Sequence, residues 1–325
     1  MSTANVRKSS IFIPLDVLNS QHGCFILFCT FASQNSDVKL VMKIAFIGAG
    51  KVSTALGLYF KNNGFEIGGY YSRSCKSTEK AARMTHSHPY ASVGELINDN
   101  RMIWITTPDD QIEAVVRQTL LLPVPRKDEK LVLHASGAYP LSILNPLKEN
   151  GYRTACAHPL LAFGDPVVAQ EKLSDVWFAL EKPEEDNGQL ADFFKACGNQ
   201  TFTVDSGRKS LYHAAACVLS NYLVTLLDTS FAIFEKSGMP RDNIQEATRP
   251  LLESVILNLK GKDLKDALTG PIKRGDKNTV RMHLESLNAL MPEMTALYTL
   301  MGRKTMQLLG DYSLEEVLNP PLSKQ

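Results

Sequence analysis

The sequence lacks an excess of charge of either sign, a CxxC pair, an internal repeat and a low-complexity stretch. Its 35 basic and 34 acidic side chains leave a formal net charge of +1, and no run of like charge is long enough to serve as a nucleic-acid tail. The charge balance therefore points to neither a nucleic-acid nor a membrane partner. Six cysteines, Cys24, Cys29, Cys75, Cys156, Cys197 and Cys217, show no regular spacing. In a chain large enough to bury a substantial core, they read as incidental or buried thiols in a reducing compartment. The apolar run Cys24–Cys29 is too short to span a bilayer.

Residues 1–41 differ in texture from the rest, and they read as an N-terminal extension expected to be disordered. Arg7 and Lys8 precede the apolar run, yet no small-residue cleavage site follows it, and the segment is not arginine-rich. The expectation is a cytoplasmic protein, with organelle targeting by residues 1–41 as the alternative. A length of 325 residues, 44% of them hydrophobic and 21% charged, suits two soluble domains.

Lys43–Ile47 is an apolar run ended by glycine, which reads as a buried parallel strand. Val52–Asn62 follows with helical spacing, Val52, Leu56, Tyr59 and Phe60 sharing one apolar face, and Phe65–Tyr71 reads as a second strand. Further strands are expected at Met102–Thr106, Leu131–His134, Thr154–Ala157, Val176–Leu180 and Thr201–Val204, with helices such as Gln111–Leu121 and Glu184–Cys197 between them. Such alternation predicts an α/β fold with a Rossmann-type, doubly wound parallel sheet over residues 42–205. After Asp205, long helical segments at Arg208–Lys236, Ile244–Lys260, Lys277–Leu290 and Glu293–Leu309 predict an all-helical C-terminal domain over 206–325, carrying the substrate cleft and the dimerisation surface.

Gly48-Ala49-Gly50-Lys51-Val52-Ser53 is a GxGxxG pattern with serine in the third position. The first glycine allows a tight turn, the second lets backbone approach a pyrophosphate, and a small third residue lets helix and strand pack closely, with Gly57 assisting. The helix N-terminus would add free N–H groups for phosphates. Where NAD enzymes place an acid after the second strand, this chain has Ser72-Arg73-Ser74. A guanidinium between two hydroxyls suits a 2′-phosphate and points to NADP rather than NAD, although a solvated surface arginine would look the same. Thr107 and Pro108 end the Met102 strand and should face the cofactor, while Asp109 could equally cap the next helix.

Three elements could carry chemistry beside such a cofactor. Ser136 follows the strand ending at His134, and His158 follows the Thr154 strand; both would open on the cofactor edge. A histidine can exchange a proton with a hydroxyl as hydride moves. His134 itself reads more readily as a strand-end group bonded to backbone. Lys209 and His213, four apart, share a helix face with Ser220, and Asn221 lies beside it, which suggests a polar cleft; a solvated first turn is the bland alternative. Arg274 could reach an anionic substrate group or simply tie down its loop, and Asp276 after it is a natural N-cap. His86 and His88 form an HxH pair in what reads as an exposed polar loop, and no metal site is expected.

Taken in order, IGAGKVSTALG, YSRS, TTPDDQI, LHASGA, AHPLLAF, KSLYHAAACVLSNY and GPIKRGD resemble the Rossmann-like oxidoreductases that carry a C-terminal domain of unknown function (DUF2520), relatives of the 6-phosphogluconate dehydrogenase-like superfamily. The resemblance covers residues 42 to about 318. It implies a cofactor domain, a helical domain, a cleft between them and homodimerisation through the helices. Members of the wider superfamily place a catalytic lysine and an asparagine four apart on this helix; Lys209 matches the first, but His213 stands in place of the second. Ser136 and His158 look instead like the serine and histidine with which prephenate dehydrogenase engages a substrate hydroxyl. The expectation is thus an NADP-dependent oxidoreductase acting on a carbonyl or hydroxyl carbon of a small anionic substrate. Lys209, His213, His158 and Ser136 would be catalytic, and Asn221 and Arg274 would bind substrate. An imine reductase and a non-catalytic NADP-binding regulator are the alternatives.

Overall fold

In a computed structural model, residues 42–181 and 188–318 are described; the N-terminal extension and residues 184–187 of the expected helix Glu184–Cys197 lie outside them. Two compact units divide the chain, one ending at Ser220 and the other opening at Asn221.

The first unit is an eight-stranded sheet: β1 (Lys43–Ile47), β2 (Glu66–Tyr71), β3 (His88–Pro89), β4 (Met102–Ile105), β5 (Leu131–His134), β6 (Arg153–Pro159), β7 (Phe178–Glu181) and β8 (Thr201–Thr203). Their order is β3-β2-β1-β4-β5-β6-β7-β8, and every neighbouring pair is parallel except β6 with β7. The doubly wound α/β class is as the alternation predicts. Helices α1 (Lys51–Asn62), α2 (Cys75–Thr85), α3 (Val93–Asp99), α4 (Ile112–Leu120), α5 (Asn145–Glu149), α6 (Pro166–Lys172) and α7 (Gln189–Ala196) cover the sheet, and α8 (Lys209–Leu219) ends the unit.

Side chains alternate across each strand, so β1 feeds two cores. Ile44 and Phe46 join Leu56, Phe60, Trp104, Phe178 and Phe194 on one face, while Ala45 and Ile47 join Leu96, Ile103, Val116 and Leu147 on the other. The first core is aromatic: Phe46 stacks on Tyr70 with centroids 5.1 Å apart, and Phe178 on Phe194 at 4.1 Å. Each such buried side chain stabilises the fold by roughly 1.5–3 kcal/mol. Gly57 sets how closely α1 approaches β2, since a Cβ there would lie 1.9 Å from the Tyr70 hydroxyl oxygen.

The second unit is helical: α9 (Asn221–Lys236), α10 (Arg241–Leu259), α11 (Leu264–Ala267), α12 (Lys277–Leu290), α13 (Pro292–Leu309) and α14 (Glu315–Leu318). Its core is small, built on Val280, Met306, Leu314 and Leu318. Asp276 caps α12 by accepting from Thr279 N at 3.1 Å; the Thr279 hydroxyl, donating to the same carboxylate at 2.7 Å, and then that backbone bond hold the carboxyl below the usual range.

Three local features differ from the sequence reading. The expected helix Arg208–Lys236 breaks at Ser220, whose backbone leaves helical geometry at φ −106° and ψ −72°. His88, read as loop, pairs with Gly69 in the short edge strand β3, though it is exposed as expected. Asp109 does not cap α4; it opens a 3₁₀ turn over Asp109–Gln111 that leads into the helix.

Candidate functional site

The carboxyl ends of β2, β1, β4, β5 and β6 form one continuous edge. Gly48 turns away from β1 with φ +116°, and its N–H donates to Tyr71 O at 2.7 Å. A Cβ at Gly48 would lie 2.7 Å from the Thr106 carbonyl, so only glycine fits between β2 and β4. A Cβ at Gly50 would meet nothing within 4 Å, which leaves open space over the loop. Among the described residues no side chain caps α1, so its first-turn N–H groups, beginning with Lys51 and Val52, face that space unpaired. Ser53 and Thr54 instead turn inward, their hydroxyls donating to Gly50 O at 3.0 and 2.8 Å. Thr107, after β4, has a buried hydroxyl oxygen with no partner among the described residues, and Pro108 beside it is exposed. An open glycine cradle, an uncapped helix and an unsatisfied hydroxyl fit a dinucleotide.

At the end of β2, Ser74 caps α2 by accepting from Ser77 N at 3.2 Å, and Ser72 donates to Ser74 O at 3.0 Å. The hydroxyls on either side of Arg73 thus build the turn. Arg73 itself is exposed and has no ion-pair partner among the described residues.

Further along the edge, strand register assembles a second group. His134 lies opposite Cys156 on β6, and Cys156 opposite Glu181 on β7. Because β7 runs antiparallel, it delivers the carboxylate of Glu181 to the middle of β6. Cys156 and His158, two apart, share a face of that strand, and Lys209 and Tyr212, three apart, share a face of α8. Lys209 sits over Cys156, with Nζ 2.8 Å from Sγ and 3.1 Å from Glu181 Oε2. It is only 3% exposed, and Glu181 also accepts from the Ser206 hydroxyl. Burial pushes the Cys156 thiol up to about 11.

Tyr212 sits over His158, its hydroxyl 2.7 Å from Nδ1. Burial, the facing His213 and Lys209 bring the His158 imidazole down to about 4, and burial pushes the Tyr212 phenol up to about 12. Both are therefore neutral at pH 7. His213 packs edge-on to His158 with centroids 6.0 Å apart, and Cys217 Sγ lies 3.8 Å from its Nδ1. Gly137 fits against both rings: a Cβ there would lie 2.9 Å from His158 Nε2 and 2.5 Å from His213 Cδ2. Ser136 begins this turn, accepting from the N–H groups of Ala138 and Tyr139 at 3.1 and 3.0 Å, which leaves its own hydrogen available for donation. His134 is fully buried, takes the Ser136 N–H on Nδ1 at 3.2 Å, and is held near 3 chiefly by burial. It is the strand-end group bonded to backbone.

The first unit thus brings Ser136, His158, Lys209 and His213 together on the edge that carries the glycine loop. Asn221 opens α9 and Arg274 lies exposed in the turn before α12, both in the helical unit. Glu181 and Tyr212 escape sequence reasoning. The first follows the expected strand Val176–Leu180 by one residue, and an aromatic at helical spacing reads as core. The three-residue step from Lys209 to Tyr212 was the available signal. A cavity of about 320 Å³ within the helical unit is lined by Ile233, His283, Leu287, Met291 and Tyr298, and none of the candidate residues borders it. Among the described residues no cluster of His, Cys, Asp and Glu could hold a metal ion.

No curated protein matches the sequence. Solved structures do share the fold. A Bacteroides fragilis protein named as an NADP oxidoreductase superposes with a TM-score of 0.65 at 22% identity, over 82% of this chain and 98% of that one. The Thermotoga maritima protein TM1727 gives 0.63 at 24%, over 82% and 98%. Plasmodium falciparum pyrroline carboxylate reductase, with NADP bound, gives 0.55 at 16%, over 83% and 98%. In sequence, residues 30–159 match the Rossmann-like domain and residues 176–305 match a domain of unknown function, DUF2520, so that the two together take in well over half of the chain. The chain belongs to the proteins that join a Rossmann-like domain to a DUF2520 domain.

Proposed function

We propose that this protein is an NADP-dependent oxidoreductase that transfers a hydride between the nicotinamide and a carbonyl or hydroxyl carbon of a small anionic substrate. The observation that carries this reading is the neutral His158–Tyr212 pair standing on the same sheet edge as an open, uncapped glycine loop. Three strand spacings separate the two, about 14 Å. The NADP in the Plasmodium neighbour and the name of the Bacteroides protein support the choice of cofactor.

NADP, when bound, supplies or takes the hydride. Gly48, Gly50, Lys51 and Val52 would hold its pyrophosphate on the α1 N-terminus. Arg73 would meet the 2′-phosphate from a turn built by Ser72 and Ser74, and Thr107 and Pro108 would line the nicotinamide side. We assign the proton to His158, since Lys209 is committed to Glu181 and Cys156 and serves as a positioning charge. The Ser136 hydroxyl would hold the reacting oxygen together with His213. In the helical unit, Asn221 and Arg274 are the candidate substrate-binding residues.

A reductase of imines uses the same proton at nitrogen instead of oxygen, and the pyrroline carboxylate reductase neighbour favours keeping it as the second reading. NADPH oxidation by the purified protein with a panel of 2-keto acids and cyclic imines separates the two. Tight NADPH binding with no transfer to either class would overturn both and leave a regulatory NADP-binding protein. NADH binding as tight as NADPH would overturn the cofactor choice. We also propose a homodimer, because α9 and α10 expose Leu223, Val224, Val255, Ile256 and Leu257. Sedimentation velocity showing only monomer would remove it.

A further inference from the structure

We propose that Tyr212 is the proton reservoir behind His158: its hydroxyl donates to Nδ1, which keeps the imidazole hydrogen on Nε2, the atom facing Gly137. The inference rests on the assignment of His158 as the proton donor, and it gives Tyr212 a role that the sequence analysis does not assign it.

The two groups meet at 2.7 Å with their rings at 82°, so the phenol oxygen lies off the edge of the imidazole rather than over its face. Phe202 on β8 holds the other side of the Tyr212 ring edge-on, with centroids 5.8 Å apart. Since both groups are neutral at pH 7, a single hydrogen is shared between Oη and Nδ1. A phenol is the stronger hydrogen-bond donor and a bare imidazole nitrogen the stronger acceptor, so the hydrogen belongs to Tyr212 and His158 carries its own on Nε2. That nitrogen lies against Gly137, where a Cβ would come within 2.9 Å of it. Burial, His213 and Lys209 all disfavour positive charge on this ring. A neutral imidazole that gives up its only hydrogen would become an anion unless its other nitrogen is supplied at the same time, and Tyr212 is placed to supply it.

The proton balance then closes. In reduction of a carbonyl, the carbon accepts the hydride with its electron pair and the C=O π bond breaks. The oxygen takes the Nε2 proton as Nδ1 takes the proton of Tyr212, and the ring stays neutral in its other tautomer. The half-buried phenolate recovers a proton from water, so one solvent proton is consumed for each hydride delivered. In oxidation of an alcohol every movement reverses: Nε2 accepts, Nδ1–H returns to Oη, and Tyr212 releases its former proton to water. A hydroxyl both donates and accepts, so one tyrosine serves both directions.

The test uses the full-length protein labelled with ¹⁵N in its histidine side chains, compared with Tyr212→Phe. At pH 7 the wild-type His158 should show a bare-nitrogen shift at Nδ1 and a protonated-nitrogen shift at Nε2. Tyr212→Phe, which keeps the ring against Phe202, should move both shifts toward the average of two tautomers while backbone amide shifts elsewhere stay put. Wild-type protein with its hydrogen on Nδ1, or a tautomer ratio unchanged in Tyr212→Phe, would overturn the proposal. This readout needs neither cofactor nor substrate, so it stands if no substrate is found for the oxidoreductase reading. Once one is found, Tyr212→Phe should lower kcat by roughly 10²-fold with little change in KM. An unchanged kcat would also overturn it.

Discussion

Replacing Glu181 with leucine strands a charge. Lys209 is 3% exposed and Glu181 5%, and the ammonium has the carboxylate at 3.1 Å as its only ionic partner among the described residues. Removing one member of such a pair leaves an uncompensated buried charge and costs about 3–5 kcal/mol. For a unit of this size, that corresponds to a loss of about 6–20 °C in the unfolding midpoint. Removing both members in Lys209→Met/Glu181→Leu leaves no charge behind, and stability should return to within roughly 1–2 kcal/mol of wild type. The chain's two tryptophans, Trp104 and Trp177, both lie in the first unit, so fluorescence-detected urea unfolding follows that unit alone. A Glu181→Leu loss below about 1 kcal/mol would refute a buried charge pair, as would a double variant no more stable than the single.

Three further predictions follow from the packing and the charges. Gly57→Ala forces a methyl against the Tyr70 hydroxyl and should destabilise by about 1–3 kcal/mol; adding Tyr70→Phe should recover part of the loss in the same unfolding assay. Arg73→Ala should weaken NADPH binding by roughly 10–100-fold and leave NADH unchanged in parallel titrations, since only the 2′-phosphate loses a charge-assisted bond. His134 near 3 and His158 near 4 both lie below the 6.5 of an unfolded histidine. The unfolded chain therefore binds protons that the folded chain refuses, and stability present above pH 6.5 is lost as pH falls toward 4. Urea midpoints measured from pH 7 to 4.5 should decline, and less steeply in His134→Gln.

The sheet was legible in the sequence wherever both of its faces are buried. Lys43–Ile47 and Leu131–His134 are continuous apolar runs, and they are strands over those very residues. Gly48 was legible for the same physical reason that the fold needs it, a turn no side chain can make. The break at Ser220 was not, because apolar periodicity runs straight through it and only the backbone angles of one residue depart from the helix. Nor was β3, whose two exposed residues carry no pattern. Lys209 and His158 were visible as residue types but not as partners. Their partners, Glu181 and Tyr212, are set by an antiparallel register and a helix phase that no local window contains.

The first compact unit ends at Ser220, so every side chain proposed to handle the proton lies upstream of Asn221. Replacing residues 221–318 would remove Asn221 and Arg274 and leave the glycine loop and the His158–Tyr212 pair in the first unit. A chimera junction one residue past α8 would keep that whole group within one compact unit.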